Sequence, residues 1–335
     1  MAMGLAGQIK QKGLELGFDL AGITDACPIE AQQVEILTNW LKFGFAGRMD
    51  YMHRNFQKRI DPAKLLEGAQ SVIVVGLNYT PPRRSQSSDA LQSDVQRSRF
   101  IDLIIQTAKV ATYAQYEDYH LFIKKQLRSL AVFLGDIAGT GFKFKICVDS
   151  APLAERALAA RAGLGFIGKN HMLINPRLGP QIFLGEIITN MELQADEPSK
   201  NSCSNCNQCI NACPTGALRA DGQFDANKCI SYLTIESKDR IPFDLTEKIG
   251  DWLFGCDECV QACPWQQNAP VCANRQLKFY DDRARLNLQD ILNLSQADFE
   301  TRFAESVIKR LGLERLKRNA KICLANVISQ KYSHE

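Results

Sequence analysis

Eight of the twelve cysteines lie between positions 203 and 263, and their spacing constrains this part of the chain more than any other feature of the sequence. The first run has three cysteines separated by two residues each, then a gap of three residues, and it ends in the pair Cys213-Pro214. The second run, Cys256–Cys263, also ends in a Cys-Pro pair, and Cys229 lies between the two runs. The first spacing, C-x₂-C-x₂-C-x₃-C-P, is typical of bacterial ferredoxins, in which three thiolates of one loop converge on a [4Fe–4S] cluster.

Two [4Fe–4S] clusters are therefore predicted, because the fourth cysteine of such a run ligates the other cluster. The first cluster is expected to be ligated by Cys203, Cys206, Cys209 and Cys263. The second cluster is expected to be ligated by Cys213, Cys229, Cys256 and Cys259. The alternative is a pair of zinc sites built from C-x₂-C pairs, but zinc requires neither the Cys-Pro ends nor the three-residue gap. The remaining cysteines are isolated and are interpreted as small buried apolar side chains: Cys27, Cys147, Cys272 and Cys323.

The composition indicates a cytoplasmic protein of two or three domains. A length of 335 residues exceeds that of most single domains, and 45% hydrophobic with 23% charged residues is ordinary for a globular protein. The sequence shows no signal-peptide apolar run and no stretch that predicts a membrane helix, so clustered cysteines in a reducing compartment point to metal binding or catalysis. The formal charge of +3 falls close to zero once the clusters and their thiolates are counted. Any nucleic-acid binding therefore needs a local basic patch.

The sequence pattern divides the chain into three predicted units. Residues 1–195 are expected to form an α/β domain, because β-branched runs such as Ser71–Tyr79 and Ile182–Thr189 alternate with helical segments such as 118–138. Residues 196–270 form the ferredoxin-like double-cluster domain, and residues 271–335 a short helical, HEAT-like unit. The polar composition of the segment 81–98 predicts a loop. Neither G-x-G-x-x-G after a strand nor G-x-x-x-x-G-K-[ST] occurs, so a Rossmann dinucleotide site or a P-loop is not supported.

Several stretches together resemble the epoxyqueuosine reductase family. They are Gly44–Met52 (GFAGRMDYM), Arg59–Pro62 (RIDP), Ser71–Tyr79, 148–170 (VDSAPLAERALAARAGLGFIGKN), Cys229–Glu236 (CISYLTIE) and both cysteine runs. The resemblance implies a base-off cobalamin bound by the N-terminal α/β domain beside the cluster domain. It also implies that the protein reduces the epoxide of epoxyqueuosine, at the wobble position of a tRNA, to the alkene of queuosine.

The resemblance also assigns site residues. Reductive opening of an epoxide leaves charge on oxygen, so a general acid is needed near the reacting centre. Asp149, at the carboxyl end of the predicted strand 142–148, matches the family's proton donor and is expected to be held protonated by burial away from cations. The alternative is that Asp149 or Ser150 caps a helix starting near Ala151. The expected cofactor contacts are Arg59, Asp149, Lys169, Asn170, Leu173 and Ser231.

Two of these assignments have simpler alternatives. Arg59 could form a surface salt bridge with Asp61 instead of binding the cofactor. Lys169 and Asn170 could lie in a solvated loop. His171 follows them where a small hydroxylated residue is expected, and its imidazole is interpreted as an ordinary polar contact instead of a cobalt ligand.

Basic residues near the cluster domain and in the C-terminal helices are the candidates for tRNA binding. The predicted contacts are Lys238, Arg240, Arg310, Arg315 and Arg318, and the competing interpretation is a solvated helix face. The expected partners are a tRNA carrying epoxyqueuosine and an external low-potential electron donor, with no membrane and a monomeric state. The alternatives are a cobalamin-dependent reductive dehalogenase and a ferredoxin-type electron-transfer protein.

Overall fold

The computed structural model describes residues 4–82 and 106–332. Most of the polar segment predicted over 81–98, and of the longer segment 81–112 that lacks an obvious family match, lies outside these residues. Within the described part of the chain, no helix is both long enough and apolar enough to span a bilayer.

The first part of the chain alternates helices with strands. In order these are α1 (Leu5–Glu15), β1 (Leu20–Asp25), α2 (Ala31–Lys42), α3 (Asp50–Arg54), α4 (Phe56–Ile60), β2 (Ser71–Asn78), β3 (Thr107–Val110), α5 (Tyr119–Ala138), β4 (Phe144–Cys147), α6 (Glu155–Arg161), β5 (Phe166–Ile167), β6 (Leu173–Ile174) and β7 (Ile182–Thr189).

Four of these strands form a sheet in the order β1-β2-β7-β4. The central strands β2 and β7 are buried along their whole length, as their runs of β-branched residues predict. Helices α1 and α5 pack on one face, around Ile73, Ile123 and Ile187, and α6 packs on the other, around Val74 and Leu158. All three strand pairs are antiparallel. The rule that parallel α/β sheets present ligands at their carboxyl edge therefore does not explain the position of Asp149, which depends on the loop after β4.

The second part of the chain contains short elements around the cysteine runs and then longer helices. In order these are α7 (Gln208–Asn211), α8 (Ile230–Ile235), α9 (Phe243–Thr246), β8 (Trp252–Phe254), α10 (Glu258–Gln261), α11 (Pro264–Gln267), β9 (Arg285–Asn287), α12 (Leu288–Asn293), α13 (Gln296–Arg302) and α14 (Leu313–Tyr332). Ser295 caps α13, because its hydroxyl oxygen accepts a hydrogen bond from the Asp298 amide at 3.1 Å. The relation of these helices to HEAT repeats stays a prediction.

Strand β3 connects the predicted units. It pairs in parallel with β8 and antiparallel with β9, so it is the middle strand of a second sheet. Its residues Ala108 and Val110 lie in one apolar core with Leu253, Leu286 and Leu316. The sequence ranges 1–195, 196–270 and 271–335 are consequently not independent packing units, since a strand from the first range completes the sheet of the other two.

The segment after β4 differs from the prediction. The helix expected from about Ala151 begins at Glu155, and its N-cap residue Ala154 makes no side-chain capping bond. Pro152 accounts for the exclusion of Ala151, because a residue before proline is disfavoured in the helical region. Neither Asp149 nor Ser150 caps this helix, and the Ser150 hydroxyl donates instead to the Val148 carbonyl at 3.3 Å.

The prediction that the four isolated cysteines are buried is wrong for two of them. Cys147 and Cys323 are buried as predicted, whereas Cys27 is exposed and Cys272 only partly buried.

Candidate active site

A cavity of about 1010 Å³ lies beside the loop that follows β4. This volume is at the upper end of the range for small-molecule sites, roughly 300–1,000 Å³, so the cavity suits a large ligand. Apolar side chains from α2 and the glycine-containing turn after it, such as Ile36, Trp40, Phe43 and Phe45, form one wall. Ile36 and Phe43 are 48% and 57% exposed, so this wall presents bare apolar surface that a ligand would cover.

Asp149 projects into this cavity from the loop between β4 and α6. Its backbone has a φ of +51°, in the left-handed region that few non-glycine residues adopt. Its side chain is 57% exposed, and its Oδ2 atom lies 2.9 Å from Nε2 of His120. The strained backbone thus directs a carboxylate toward the ligand space while one of its oxygens remains hydrogen-bonded to the protein.

His120 joins Asp149 to two further charged groups. Its Nδ1 atom lies 2.7 Å from Asp118 Oδ1, and its Nε2 atom also lies 3.1 Å from the Arg310 guanidinium. Arg310 in turn contacts the other oxygen of Asp118 at 3.0 Å. The imidazole is almost fully buried and stacks on the Tyr119 ring at a centroid distance of 4.1 Å. Asp118, His120 and Asp149 therefore form a hydrogen-bonded array of fixed orientation.

The hydrogen bonds and charges of this array shift the pKa values of His120 and Asp149. Burial lowers the pKa of His120, but the hydrogen bonds to Asp118 and Asp149 raise it by more, so its net shift is upward. Burial raises the pKa of Asp149, but the His120 hydrogen bond, the His120 charge and the charges of Arg156 and Arg310 together lower it below its ordinary value. The expectation that Asp149 is held protonated away from cations is therefore wrong for this arrangement, because His120, Arg156 and Arg310 favour its carboxylate form.

The eight motif cysteines lie in two groups, and their ligation of two clusters stays a prediction. Four of them, Cys203, Cys206, Cys209 and Cys263, line one smaller cavity with Trp265. In the other group, burial and then like-charge repulsion within the group raise the thiol pKa values of Cys229, Cys256 and Cys259, and Cys213 is one of the repelling groups. The structure thus brings the fourth cysteine of each run to the other run.

Two family models match the chain. One described as "Epoxyqueuosine reductase QueG, DUF1730" covers residues 59–150, and one described as "4Fe-4S double cluster binding domain" covers residues 202–266. An epoxyqueuosine reductase from Vibrio cholerae is 37% identical over 326 residues, which span 96% of this chain and 83% of the relative. The chain belongs to the epoxyqueuosine reductase family.

Solved structures of the epoxyqueuosine reductase family share the fold. One contains an epoxyqueuosine-modified tRNA-Tyr stem loop and aligns with a TM-score of 0.82 at 28% identity, covering 96% of this chain and 80% of that chain. Another, from Bacillus subtilis, has its catalytic aspartate loop swung out of the active site. It aligns with a TM-score of 0.84 at 27% identity over 96% of this chain and 81% of that chain. This membership leaves the dehalogenase and electron-carrier alternatives unsupported.

Of the predicted cofactor contacts, Arg59 lines the large cavity with Asp149. Its Nε atom is buried without a hydrogen-bond partner among the described residues, and its NH1 donates to the Leu153 carbonyl at 3.4 Å. Asp61 does not pair with it, because that carboxylate accepts from the Ala63 amide and lies near Lys64. The salt-bridge alternative for Arg59 is therefore wrong, and its buried Nε has no hydrogen-bond acceptor among the described residues.

The other predicted cofactor contacts lie elsewhere. Lys169 donates to the Cys206 carbonyl at 2.8 Å and lines the smaller cysteine cavity with Asn170, so both residues contact the cluster loops. Leu173 is buried in the core around α6, and the Ser231 amide donates to the Cys229 sulfur. None of these four lines the large cavity. Their expected contact with cobalamin thus has no support in the cavity's geometry.

His171 does line the large cavity. Its ring lies 5.5 Å from that of Phe224. Burial and Arg156 lower its pKa to about 4, which keeps the imidazole neutral. It is an uncharged member of the cavity wall.

The predicted tRNA contacts fall into two classes. Lys238 and Arg240 are exposed in the loop after α8. Arg315 instead donates to the carbonyls of Leu311 and Ile235, each at 2.8 Å. Arg318 and Arg310 are likewise engaged within the protein. Internal hydrogen bonds therefore occupy the guanidinium groups of the C-terminal arginines.

Sequence reasoning missed three residues around Asp149: His120, Glu155 and Glu186. The Glu155 carboxylate accepts a hydrogen bond from the Asp149 amide, and Glu186 is fully buried behind it. A glutamate in the strand Ile182–Thr189, among apolar residues, was the available signal for Glu186. His120, by contrast, sits in an ordinary helical pattern.

Proposed function

We propose that this chain reduces the epoxide of epoxyqueuosine in tRNA to the alkene of queuosine. The proposal is supported by the family membership and by a relative solved with an epoxyqueuosine-modified tRNA stem loop. The observation that carries it is the Asp149 carboxylate, which faces a large cavity while one of its oxygens lies 2.9 Å from Nε2 of His120. Conversion of an epoxide to an alkene and water consumes two electrons and two protons, so the site must supply both.

The electrons would come from two [4Fe–4S] clusters and a cobalamin. The double-cluster domain supports the clusters, ligated as the two cysteine groups above. The large cavity fits a base-off cobalamin, because its volume suits a large ligand, the Arg59 side chain lines it, and the exposed wall of Ile36 and Phe43 can pack against the corrin face. Cobalamin when bound would supply a strongly reducing cobalt centre. An external low-potential electron donor would reduce the clusters again after each turnover.

The protons would come through Asp149. A protonated His120 would donate from Nε2 to Asp149 across 2.9 Å, and Asp118 holds the imidazole from its other nitrogen. As negative charge develops on the epoxide oxygen, Asp149 would pass on a proton from His120, and His120 would then take a proton from solvent for the second transfer. Arg310, beside both Asp118 and His120, would compensate the charge left behind.

The loop carrying Lys238 and Arg240 would bind the tRNA backbone. It follows Glu236, which lines the large cavity, so the exposed cations lie close in sequence to the cavity wall. A monomer in the cytoplasm is the expected state of the working enzyme.

The test is a mass-spectrometric assay of tRNA with the reconstituted holo-protein. Asp149→Asn should lower the turnover rate by about 10²–10⁴-fold, the usual contribution of a general acid, while cobalamin and iron content stay unchanged. Asp136→Asn, at an exposed aspartate of α5, is the matched control and should retain full activity. Full activity of Asp149→Asn would refute the role of Asp149, and failure of the wild-type protein to convert the tRNA would refute the function.

A further inference from the structure

Glu186 is a carboxyl group in an apolar core. It lies in the middle of β7, opposite Val74 of β2 and Cys147 of β4, and its exposed fraction is 0%. Its face of the sheet is covered by α6, with Val74, Leu158 and Ile188 in the same core. Neither carboxylate oxygen has a hydrogen-bond donor among the described residues. An ionised carboxylate in such surroundings is strongly disfavoured, so this group needs a proton of its own.

Glu155 is the group that can accept a hydrogen bond from the protonated carboxyl of Glu186. Its carboxyl lies within hydrogen-bonding reach of Glu186, at the first residue of α6. Two carboxylates are both acceptors and repel each other, whereas a pair holding one proton forms a strong hydrogen bond. The same Glu155 carboxylate also accepts the Asp149 amide. A continuous connection therefore runs from the buried Glu186 through Glu155 to the backbone of Asp149.

The charges around the pair favour this protonation state. Burial, and then repulsion from Glu155, raise the pKa of Glu186 well above its ordinary value. Burial, and then repulsion from Asp149, raise the pKa of Glu155 to about 7. The titratable or charged groups facing the pair from the surrounding elements are Arg59, Tyr119, Cys147, Asp149 and Arg156. Near neutral pH the pair thus holds one proton on Glu186, and a second proton enters as the pH falls.

We propose that Glu155 and Glu186 share a proton and act as positioning residues, which hold the Asp149 loop in its left-handed conformation through the Asp149 amide. The role in catalysis rests on the proposed function, but the shared proton and its hold on the loop do not. A hydrogen bond from a backbone amide to a carboxylate is stronger than one to a neutral carboxyl group. Protonation of Glu155 on the acid side of neutrality therefore loosens the loop, and its ionisation fixes the loop.

The first test detects the proton directly. Infrared difference spectroscopy of the holo-protein at pH 8 should show the carbonyl stretch of a protonated carboxyl group. Glu186→Gln should remove this band, because the amide donates to Glu155 without a titratable proton. Glu192→Gln, at an exposed glutamate just after the same strand, is the matched control and should retain the band. Absence of the band in the wild type, or its persistence in Glu186→Gln, would overturn the shared proton.

The second test measures the hold on the loop. Hydrogen exchange at pH 8 over the peptide 148–154 should be about tenfold or more faster in Glu155→Ala than in the wild type, the loss expected for one charge-assisted hydrogen bond. Glu155→Gln should restore only part of the protection, because its neutral amide oxygen accepts the Asp149 amide more weakly than a carboxylate does. Equal exchange in the wild type and Glu155→Ala would overturn the positioning role even if both variants fold.

The activity profile links the pair to turnover. In the wild type, the rate constant for tRNA conversion should fall as the pH drops below about 7, and in Glu155→Gln this fall should be absent, with KM unchanged in both. An identical acid-side fall in both proteins would overturn the link to Glu155. If the spectroscopic and exchange results hold while no protein converts the tRNA, the proposed function fails and the carboxyl pair stands.

Discussion

Arg318 allows the structural and RNA-binding interpretations of the C-terminal cations to be separated by one substitution. Its guanidinium donates to the carbonyls of Leu233, Ser237 and Asp239 at 2.8, 2.8 and 2.9 Å. Two of these acceptors flank Lys238 in the loop proposed to contact tRNA. Arg318→Lys keeps the positive charge but can retain only one of the three bonds, since an ammonium group lacks the planar fork of arginine.

The expected loss follows from the two missing bonds. At about 1.5 kcal/mol for each hydrogen bond to a charged group, Arg318→Lys should cost about 3 kcal/mol. With about 2–4 °C per kcal/mol for a larger domain, the apparent unfolding temperature should fall by about 6–12 °C in anaerobic calorimetry. If Arg318 instead contacts a phosphate, the charge-preserving variant should keep the stability of the wild type.

The salt dependence of tRNA binding gives the second half of this experiment. Lys238→Ala with Arg240→Ala should lower the slope of log K against log salt by about 1.4–1.8, the value for two lost phosphate contacts. Arg318→Lys, assayed well below its unfolding temperature, should leave that slope unchanged. A stable Arg318→Lys protein with a reduced salt slope would refute the structural assignment.

Three further predictions concern the site. Because the pKa of His120 is raised in the folded protein, its ion pairs stabilise the fold fully below its ordinary pKa, near 6.5, and this stabilisation is lost as the pH rises through the folded value. In urea unfolding, His120→Gln should therefore lack this loss of stability at higher pH. A pH dependence equal to that of the wild type would contradict the prediction. Arg59→Met should weaken cobalamin retention on gel filtration by about tenfold without changing iron content, and unaltered retention would exclude Arg59 from the cofactor site. Cys263→Ser should lower iron content by up to one cluster, whereas the exposed control Cys27→Ser should not; equal iron in both would contradict the assignment of Cys263.

The sequence predicted the local elements well because their signals are local. Strands β2 and β7 are continuous apolar runs, and their observed bounds match the predicted segments to within a residue. The two cysteine groups were predictable for a different reason, since the ligand spacing of a double-cluster fold fixes which cysteines meet. Pro152 is also visible in the sequence, but it excludes only Ala151 from the helix, so the start at Glu155 could not be predicted from it.

Electrostatic interactions between residues far apart in the chain could not be predicted from the sequence. Asp149 was identified, but its protonation state depends on His120 and Arg310, which are 29 and 161 residues away in the chain. The positive charges near the C-terminus suggested a solvated or phosphate-binding face. Which guanidinium groups reach buried carbonyls depends on helix packing, and no pattern of charges along the sequence reports it.

The position of β3 has a consequence for dividing this protein into parts. A fragment beginning at residue 196 would keep all eight motif cysteines but would lack the middle strand of the β8-β3-β9 sheet. Strands β8 and β9 would then present unpaired edges and the apolar surface that Ala108 and Val110 normally cover, which favours aggregation. The electron-carrying segment is therefore not a transplantable ferredoxin module, and its recombination with other chains requires the catalytic half to move with it.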